Sequence, residues 1–199
     1  RIEFLTQYQN ATYAERYENL VRKAEDAEQN LTPGLEGFAV AVARYAFKLM
    51  SYKDEYEVAR LYTDGTFLRQ LNEQFDGDYK IEFNLAPPLI SKRDPSTGQL
   101  KKQVYGPWLM HGFRLLSKLK GLRGTAWDIF GKTAERKQER LLIEDYFSVI
   151  EMVCRNLSRD NHSVAVELAS IPEKIRGYGH VKEAAIIESK AHQKQALAI

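Results

Sequence analysis

The chain has 199 residues, of which 44% are hydrophobic and 28% charged, and its formal net charge is only +2. With eleven tyrosines, nine phenylalanines and two tryptophans, this composition is typical of a folded globular domain and excludes a chain that is disordered throughout. The single cysteine, Cys154, excludes an internal disulfide bond and a four-cysteine zinc or iron–sulfur site within these residues, and it fits a cytoplasmic protein.

The first part of the sequence predicts long helices. Apolar residues recur at helical spacing over residues 3–29, which predicts one continuous helix. The Thr-Pro-Gly sequence at residues 32–34 ends it. A second apolar stripe over residues 35–61 predicts another helix with a bend near Ser51, and a shorter helix follows over residues 66–75.

The next segment has a different period. Apolar and polar side chains alternate over residues 79–85, which predicts a half-buried strand. Pro87 and Pro88 end this strand, and residues 94–98 have the composition of a turn. Residues 101–105 are then predicted to return as the partner strand. A small β-hairpin at about residues 79–105 is therefore expected inside a helical protein.

Helices are also predicted after the hairpin. Pro107 suits the first turn of a helix over residues 107–120. The longest helix is predicted to begin at Thr133, another to be capped by Asn161 or Ser163, and a polar helix to begin near residue 181. The predicted fold class is mainly α, as a single bundle-like helical domain with one inserted hairpin.

Sequence patterns of common catalytic sites are missing from the chain. It contains no glycine-rich phosphate loop, no His-Glu-x-x-His and no Gly-x-Ser-x-Gly. The four histidines are scattered singly, and His111, beside an apolar helix face, is interpreted as a packed or edge residue. Cys154 lies on the apolar stripe of a helix and is interpreted as a small core residue rather than a nucleophile. The residues therefore predict neither a catalytic centre nor a metal site.

The densest group of polar and aromatic residues is the segment at residues 52–62. On a helix, Lys53, Glu57 and Arg60 share one face, and their spacing predicts Lys53–Glu57 and Glu57–Arg60 pairs. The pattern alone favours an amphipathic helix with this face in solvent. The alternative is that Lys53, Asp54 and Arg60 contact another domain or a bound anion.

Positive charge is concentrated in the middle of the chain. Residues 91–140 contain twelve Lys and Arg but only four Asp and Glu. Nucleic-acid binding would use clustered cations and exposed aromatic side chains, but Phe113, Trp127 and Phe130 are interpreted as structural. Glu135 and Glu139 also neutralise neighbouring arginines. A solvated or inter-domain face is favoured, with no nucleic-acid partner. No membrane partner is expected, because no apolar run reaches the roughly 20 residues of a membrane helix.

Several separated motifs occur in a fixed order. The segment at residues 52–62 is followed by motifs at 85–89, 93–98, 106–108, 122–136 and 175–184. In this order they resemble the C-terminal region of the long, fused-subunit indolepyruvate ferredoxin oxidoreductases, and the resemblance spans roughly residues 13–185. One departure from the family pattern is Ile129, where that pattern has proline.

The resemblance implies a helical accessory domain, cut from a larger chain, of a thiamine-dependent aryl 2-oxoacid oxidoreductase. Such enzymes decarboxylate an aryl pyruvate, transfer the acyl group to coenzyme A and pass electrons to ferredoxin. Thiamine diphosphate, magnesium and iron–sulfur clusters are expected elsewhere in the full-length protein, which is expected to be a homodimer. The domain itself is expected to be inactive alone and to serve in domain docking or dimer assembly. A stand-alone helical interaction module is the alternative, and a nucleic-acid binder is less favoured.

Two sets of residues are candidates for functional contacts. The candidates for inter-domain or anion contacts are Lys53, Asp54, Glu55, Arg60, Arg123 and Arg136. The candidates for docking an acidic partner, such as ferredoxin, are Lys101, Lys102, Lys118 and Lys120.

Overall fold

The computed structural model describes residues 1–86, 101–177 and 179–197, which form a mainly helical protein with a small antiparallel hairpin. This confirms the predicted fold class. The elements are α1 (Ile2–Tyr8), α2 (Ala11–Leu31), α3 (Phe38–Met50), α4 (Glu55–Thr63), α5 (Thr66–Gln74), β1 (Phe83–Leu85), β2 (Gln103–Tyr105), α6 (Leu109–Lys118), α7 (Ala134–Asn156), α8 (His162–Ser170) and α9 (Gly179–Ala196). Short 3-10 helices occupy Lys120–Leu122 and Ile171–Lys174.

The chain divides into two compact units. Unit 1 consists of Arg1–Tyr52 and Lys137–Ile199, and unit 2 consists of Lys53–Arg136. Within the described ranges, no helix is long and apolar enough to cross a membrane.

Residues 3–29 form two helices, so the prediction of one continuous helix is wrong. Asn10 separates α1 from α2 with an extended backbone (φ −166°, ψ 176°). Its side-chain oxygen accepts a hydrogen bond from the Tyr13 backbone N–H at 2.8 Å, which caps α2. Periodicity alone does not reveal the break at Asn10, because the apolar spacing continues across it.

The core of unit 1 is built where α2 packs on α3 and α3 packs on α8. Four of its tyrosines pack their rings in this core and donate their hydroxyl hydrogens to backbone carbonyls, which satisfies both the apolar and the polar parts of the side chain. Such bonds run from Tyr8 to Tyr52, from Tyr13 to Met50, from Tyr17 to Ala43 and from Tyr146 to Ala169, at 2.8 to 3.0 Å.

The predicted helix over residues 35–61 is also divided. The first part, α3, ends at Met50, and α4 begins only at Glu55. Asp54 has an extended backbone and accepts the Glu57 backbone N–H at 2.9 Å, so it is the N-cap of α4. The Asp-x-x-Glu sequence at residues 54–57 is the type of pattern that marks a helix start.

Unit 2 has a small aromatic core between α4 and α6, closed by the hairpin. The Tyr62 ring stacks on Phe113 with centroids 5.2 Å apart and meets Phe83 edge-on at 5.1 Å. Phe83 pairs with Tyr105 in the two-stranded ladder. The predicted hairpin is therefore confirmed, although its strands are shorter than expected. The predicted turn, with Pro87, Pro88 and residues 94–98, lies outside the described residues.

Candidate functional site

Unit 2 contains buried charged side chains that come mostly from the motifs singled out in the sequence. Asp54 and Arg123 form a buried ion pair. The Asp54 side chain is 4% exposed and the Arg123 side chain is 3% exposed. The Arg123 guanidinium donates from Nε to one carboxylate oxygen of Asp54 at 2.5 Å and from Nη2 to the other at 2.8 Å. This bidentate geometry is the strongest arrangement for an Arg–carboxylate pair. The site brings together two candidates that are 69 residues apart in the chain.

Glu57 and Arg60 form the second pair. The Glu57 side chain is 2% exposed and accepts two hydrogen bonds from the Arg60 guanidinium, both at 2.8 Å. The predicted Glu57–Arg60 pair is confirmed, but the solvated helix face is wrong because Glu57 is enclosed. Lys53 precedes α4 and is exposed, and none of the ion pairs found in the described ranges joins it to Glu57.

Asp128 holds the loop at residues 124–131 in place. It is 4% exposed, and its carboxylate accepts the backbone N–H groups of Gly124 and Gly131, each at 2.8 Å. It also accepts the Tyr56 hydroxyl at 3.2 Å. Burial, and then the nearby Asp128 carboxylate, raises the pKa of Tyr56 to about 12. One carboxylate thus joins both ends of the loop to α4. Asp54, Tyr56, Glu57, Arg60, Arg123 and Asp128 are called the buried charge cluster below.

The same loop exposes apolar side chains. Trp127 is 79% exposed and Ile129 is 56% exposed, so the interpretation of Trp127 as structural is wrong. Phe130 points inward and meets the Tyr56 ring edge-on at 5.4 Å. Phe113 is buried as predicted. A loop fixed by buried hydrogen bonds therefore presents a large aromatic side chain outward.

The remaining residues predicted to make functional contacts are partly buried or exposed side chains of unit 2. The Arg136 guanidinium contacts the Glu55 carboxylate at 3.3 Å, and both side chains are largely covered. Lys120 is half-buried, and its pKa is lowered by burial and by the positive charges of Arg60 and Arg123. The exposed lysines of the acidic-partner set are Lys101, Lys102 and Lys118.

The described residues do not fit a metal ion or an iron–sulfur cluster. No three of their His, Cys, Asp and Glu side chains are placed to share a metal. Burial raises the pKa of the Cys154 thiol to about 11, which disfavours the thiolate that a metal or a nucleophilic reaction needs. His162 is buried and its Nε2 lies 2.8 Å from a Glu28 carboxylate oxygen, so it serves packing within unit 1. His111 is exposed on α6.

The buried charge cluster is suited to a structural role rather than to catalysis. Each of its carboxylates is already paired with a guanidinium or with backbone N–H groups. The sequence analysis does not predict the roles of Tyr56 and Asp128 or the burial of Glu57, although Asp128 lies in one of the ordered motifs. Two glycines flank Asp128 at Gly124 and Gly131, and an acidic side chain between glycines in a loop is a signal for bonds to backbone N–H groups.

Residues 1–195 match a family described as "Family of unknown function (DUF6537)". The chain belongs to this family. Neither the comparison with curated proteins nor that with solved structures gives a match.

Proposed function

We propose that this chain is an accessory domain of a thiamine-dependent aryl 2-oxoacid:ferredoxin oxidoreductase and serves in domain docking or dimer assembly. The ordered motifs that resemble that family support the enzyme class. The loop at residues 124–131 supports the docking role, and it is the observation that carries it. Asp128 fixes the loop from inside while Trp127 extends into solvent. A pre-organised loop loses little conformational entropy when it binds, and exposed tryptophans are frequent anchors of interfaces.

The catalytic chemistry then belongs to other domains of the full-length enzyme. Thiamine diphosphate with magnesium supplies the electron sink for decarboxylation when it is bound there, and iron–sulfur clusters carry the electrons. The residues of this chain contribute a stable surface to that assembly. In unit 2, the buried charge cluster holds that surface in one conformation.

The exposed lysines of unit 2 are suited to contact the electron acceptor, ferredoxin. Lys101, Lys102 and Lys118 are exposed, and a ferredoxin with an acidic surface would be attracted to them over about 10 Å at moderate salt. Lys120 is less suited to this role because it is half-buried and its pKa is lowered. Electrostatic steering of this kind acts mainly on the association rate.

A stand-alone interaction module is the second candidate. The same exposed Trp127 favours it, because a fixed loop with an aromatic tip suits a separate partner as well as a neighbouring domain. The two candidates differ in what the loop contacts. In the first it contacts the rest of the same enzyme, and in the second it contacts another protein.

The experiment is Trp127→Ala in the full-length enzyme. We expect weaker assembly, seen as a larger dissociated fraction in sedimentation, together with slower 2-oxoacid-dependent dye reduction. Val40→Ala is the matched control, because Val40 is 63% exposed but lies on α3 in unit 1. A Trp127→Ala enzyme that assembles and turns over like the wild type would exclude docking through this loop.

A further inference from the structure

Helix α6 has an apolar line of side chains on its solvent face. Met110 and Phe113 point into unit 2 and are 7% exposed each. Trp108, Leu115 and Leu119 are 63%, 64% and 40% exposed. Trp108 is the N-cap of α6, and its backbone already has a helical conformation. Spacings of seven and four residues place these three on one face over about 17 Å, given a rise of 1.5 Å per residue. Trp108, Leu115 and Leu119 are called the α6 stripe.

The exposed charged side chains of the described stretch that carries α6, residues 101–132, are all positive. Arg114 and Lys118 are exposed and lie one turn apart on the adjoining edge of the helix. Residues 101–132 contain seven Lys and Arg and one acidic residue, Asp128, which is buried. The exposed charged side chains of this stretch are Lys101, Lys102, Arg114, Lys118 and Lys132. An apolar line therefore runs beside a cationic edge, with no exposed carboxylate in this part of the chain.

We propose that the α6 stripe binds an acidic amphipathic helix of a separate protein. Apolar residues at seven- and four-residue spacing are the positions through which two helices pack. Carboxylates flanking the apolar line of the incoming helix would pair with Arg114 and Lys118. Cationic edges raise association rates, which benefits a partner that arrives by diffusion more than a domain that is already tethered. The inference depends only on α6 and not on the assignment to an oxidoreductase.

Charge also argues against the other occupants of this face. A second copy of the chain would bring its own positive α6 edge toward the first, and like charges at an interface are unfavourable. Nucleic acid would use the cations and could stack on Trp108. It would gain little from Leu115 and Leu119, which can neither pair with phosphate nor stack as an aromatic ring does.

The test measures binding of a designed peptide to the 199-residue chain. The probe is a fluorescein-labelled helical peptide of three heptads, with leucine along one face and glutamate at the flanking positions. We expect saturable binding by fluorescence anisotropy that weakens with added salt. A matched peptide with lysine in place of glutamate should bind at least about tenfold more weakly, since each 1.4 kcal/mol changes affinity tenfold.

Two variants locate the contact. Leu115→Glu should reduce the affinity for the glutamate peptide by about tenfold or more, because it places a charge within the apolar line and opposite carboxylates. Val40→Glu changes an equally exposed side chain in unit 1 and should leave the affinity unaltered. Leu115 is exposed, so circular dichroism should show both variants folded.

Several outcomes would overturn the proposal. They are no binding of the glutamate peptide, equal binding of the lysine peptide, or unchanged affinity in Leu115→Glu. Self-association that Leu115→Glu abolishes would assign the face to a second copy. Displacement of the peptide by duplex DNA at equal concentration would assign it to nucleic acid. These results concern α6 only, so they are independent of whether the full-length protein carries thiamine diphosphate.

Discussion

Asp54 combines two structural roles. It caps α4 by accepting the Glu57 N–H, and it is the counter-ion of the buried Arg123 guanidinium. The Arg123 guanidinium also lies over the Tyr56 ring, 5.5 Å from its centroid. A sequence pattern shows that Asp54 can be a helix cap. It does not show that its partner is 69 residues away, because pairing across the fold leaves no local periodicity.

Loss of Arg123 should destabilise unit 2 strongly. In Arg123→Met the buried Asp54 carboxylate loses its counter-ion, and breaking a buried pair from one side costs about 3–5 kcal/mol. Arg22→Met removes an exposed pair with Glu18 and should cost less than about 1 kcal/mol. Urea unfolding followed by circular dichroism measures both. Equal midpoints for the two variants would show that the Asp54–Arg123 pair is not essential to stability.

The thiol of Cys154 should be slow to react in the folded chain. Burial raises its pKa to about 11, so little thiolate is present at pH 8. We expect alkylation by iodoacetamide at pH 8 to be at least about tenfold slower in the folded chain than in urea, and to accelerate as the pH rises toward 11. Equal rates in the folded and unfolded chains at pH 8 would contradict this.

At the scale of elements, the type of secondary structure follows from sequence better than the ends of the helices do, and the number of helices depends on those ends. Apolar spacing identifies α3, α6 and α7, and alternation identifies the hairpin. The break at Asn10 is not predicted, and the bend predicted near Ser51 is a full break at residues 51–54, since both interrupt an apolar pattern without interrupting its period. The cause is the side chain of a single capping residue. Such caps act through hydrogen bonds to backbone N–H groups, which hydrophobic periodicity does not report.

The Glu28 side chain of α2 links three helices of unit 1. Its carboxylate accepts the backbone N–H groups of Phe38 and Ala39 at the start of α3, at 2.7 and 3.1 Å. It also contacts His162 of α8. Gly37, the N-cap of α3, has no side chain that could provide this cap. Glu28 therefore caps α3 from a neighbouring helix.

Replacing Glu28 should destabilise unit 1. Glu28→Ala leaves two N–H groups at the start of α3 without acceptors, and we expect a loss of about 2–4 kcal/mol in the free energy of unfolding. Glu25→Ala is the matched control, one turn earlier on the exposed face of α2, and should change it by less than about 0.5 kcal/mol. Thermal unfolding compares the two. A Glu28→Ala chain as stable as Glu25→Ala would show that α3 needs no cap from α2.

At the scale of the whole molecule, composition predicts a folded chain and apolar spacing predicts mainly helices, and the structure confirms a mainly helical fold. The candidate site was predictable in part. The motif residues Asp54, Arg60 and Arg123 were singled out, but their partners lie within unit 2. The outward-facing Trp127 was not predicted, because an aromatic residue in a loop carries no sequence signal that distinguishes a buried from an exposed position.

The central claim concerns the protein to which this domain belongs. The most direct measurement is the intact mass and bound-cofactor content of the natural gene product that contains these residues. The account predicts a polypeptide several times larger than 22.9 kDa that carries thiamine diphosphate and reduces a dye with an aryl pyruvate. A natural product near 22.9 kDa without thiamine diphosphate would contradict it, and the chain would then be a stand-alone interaction module.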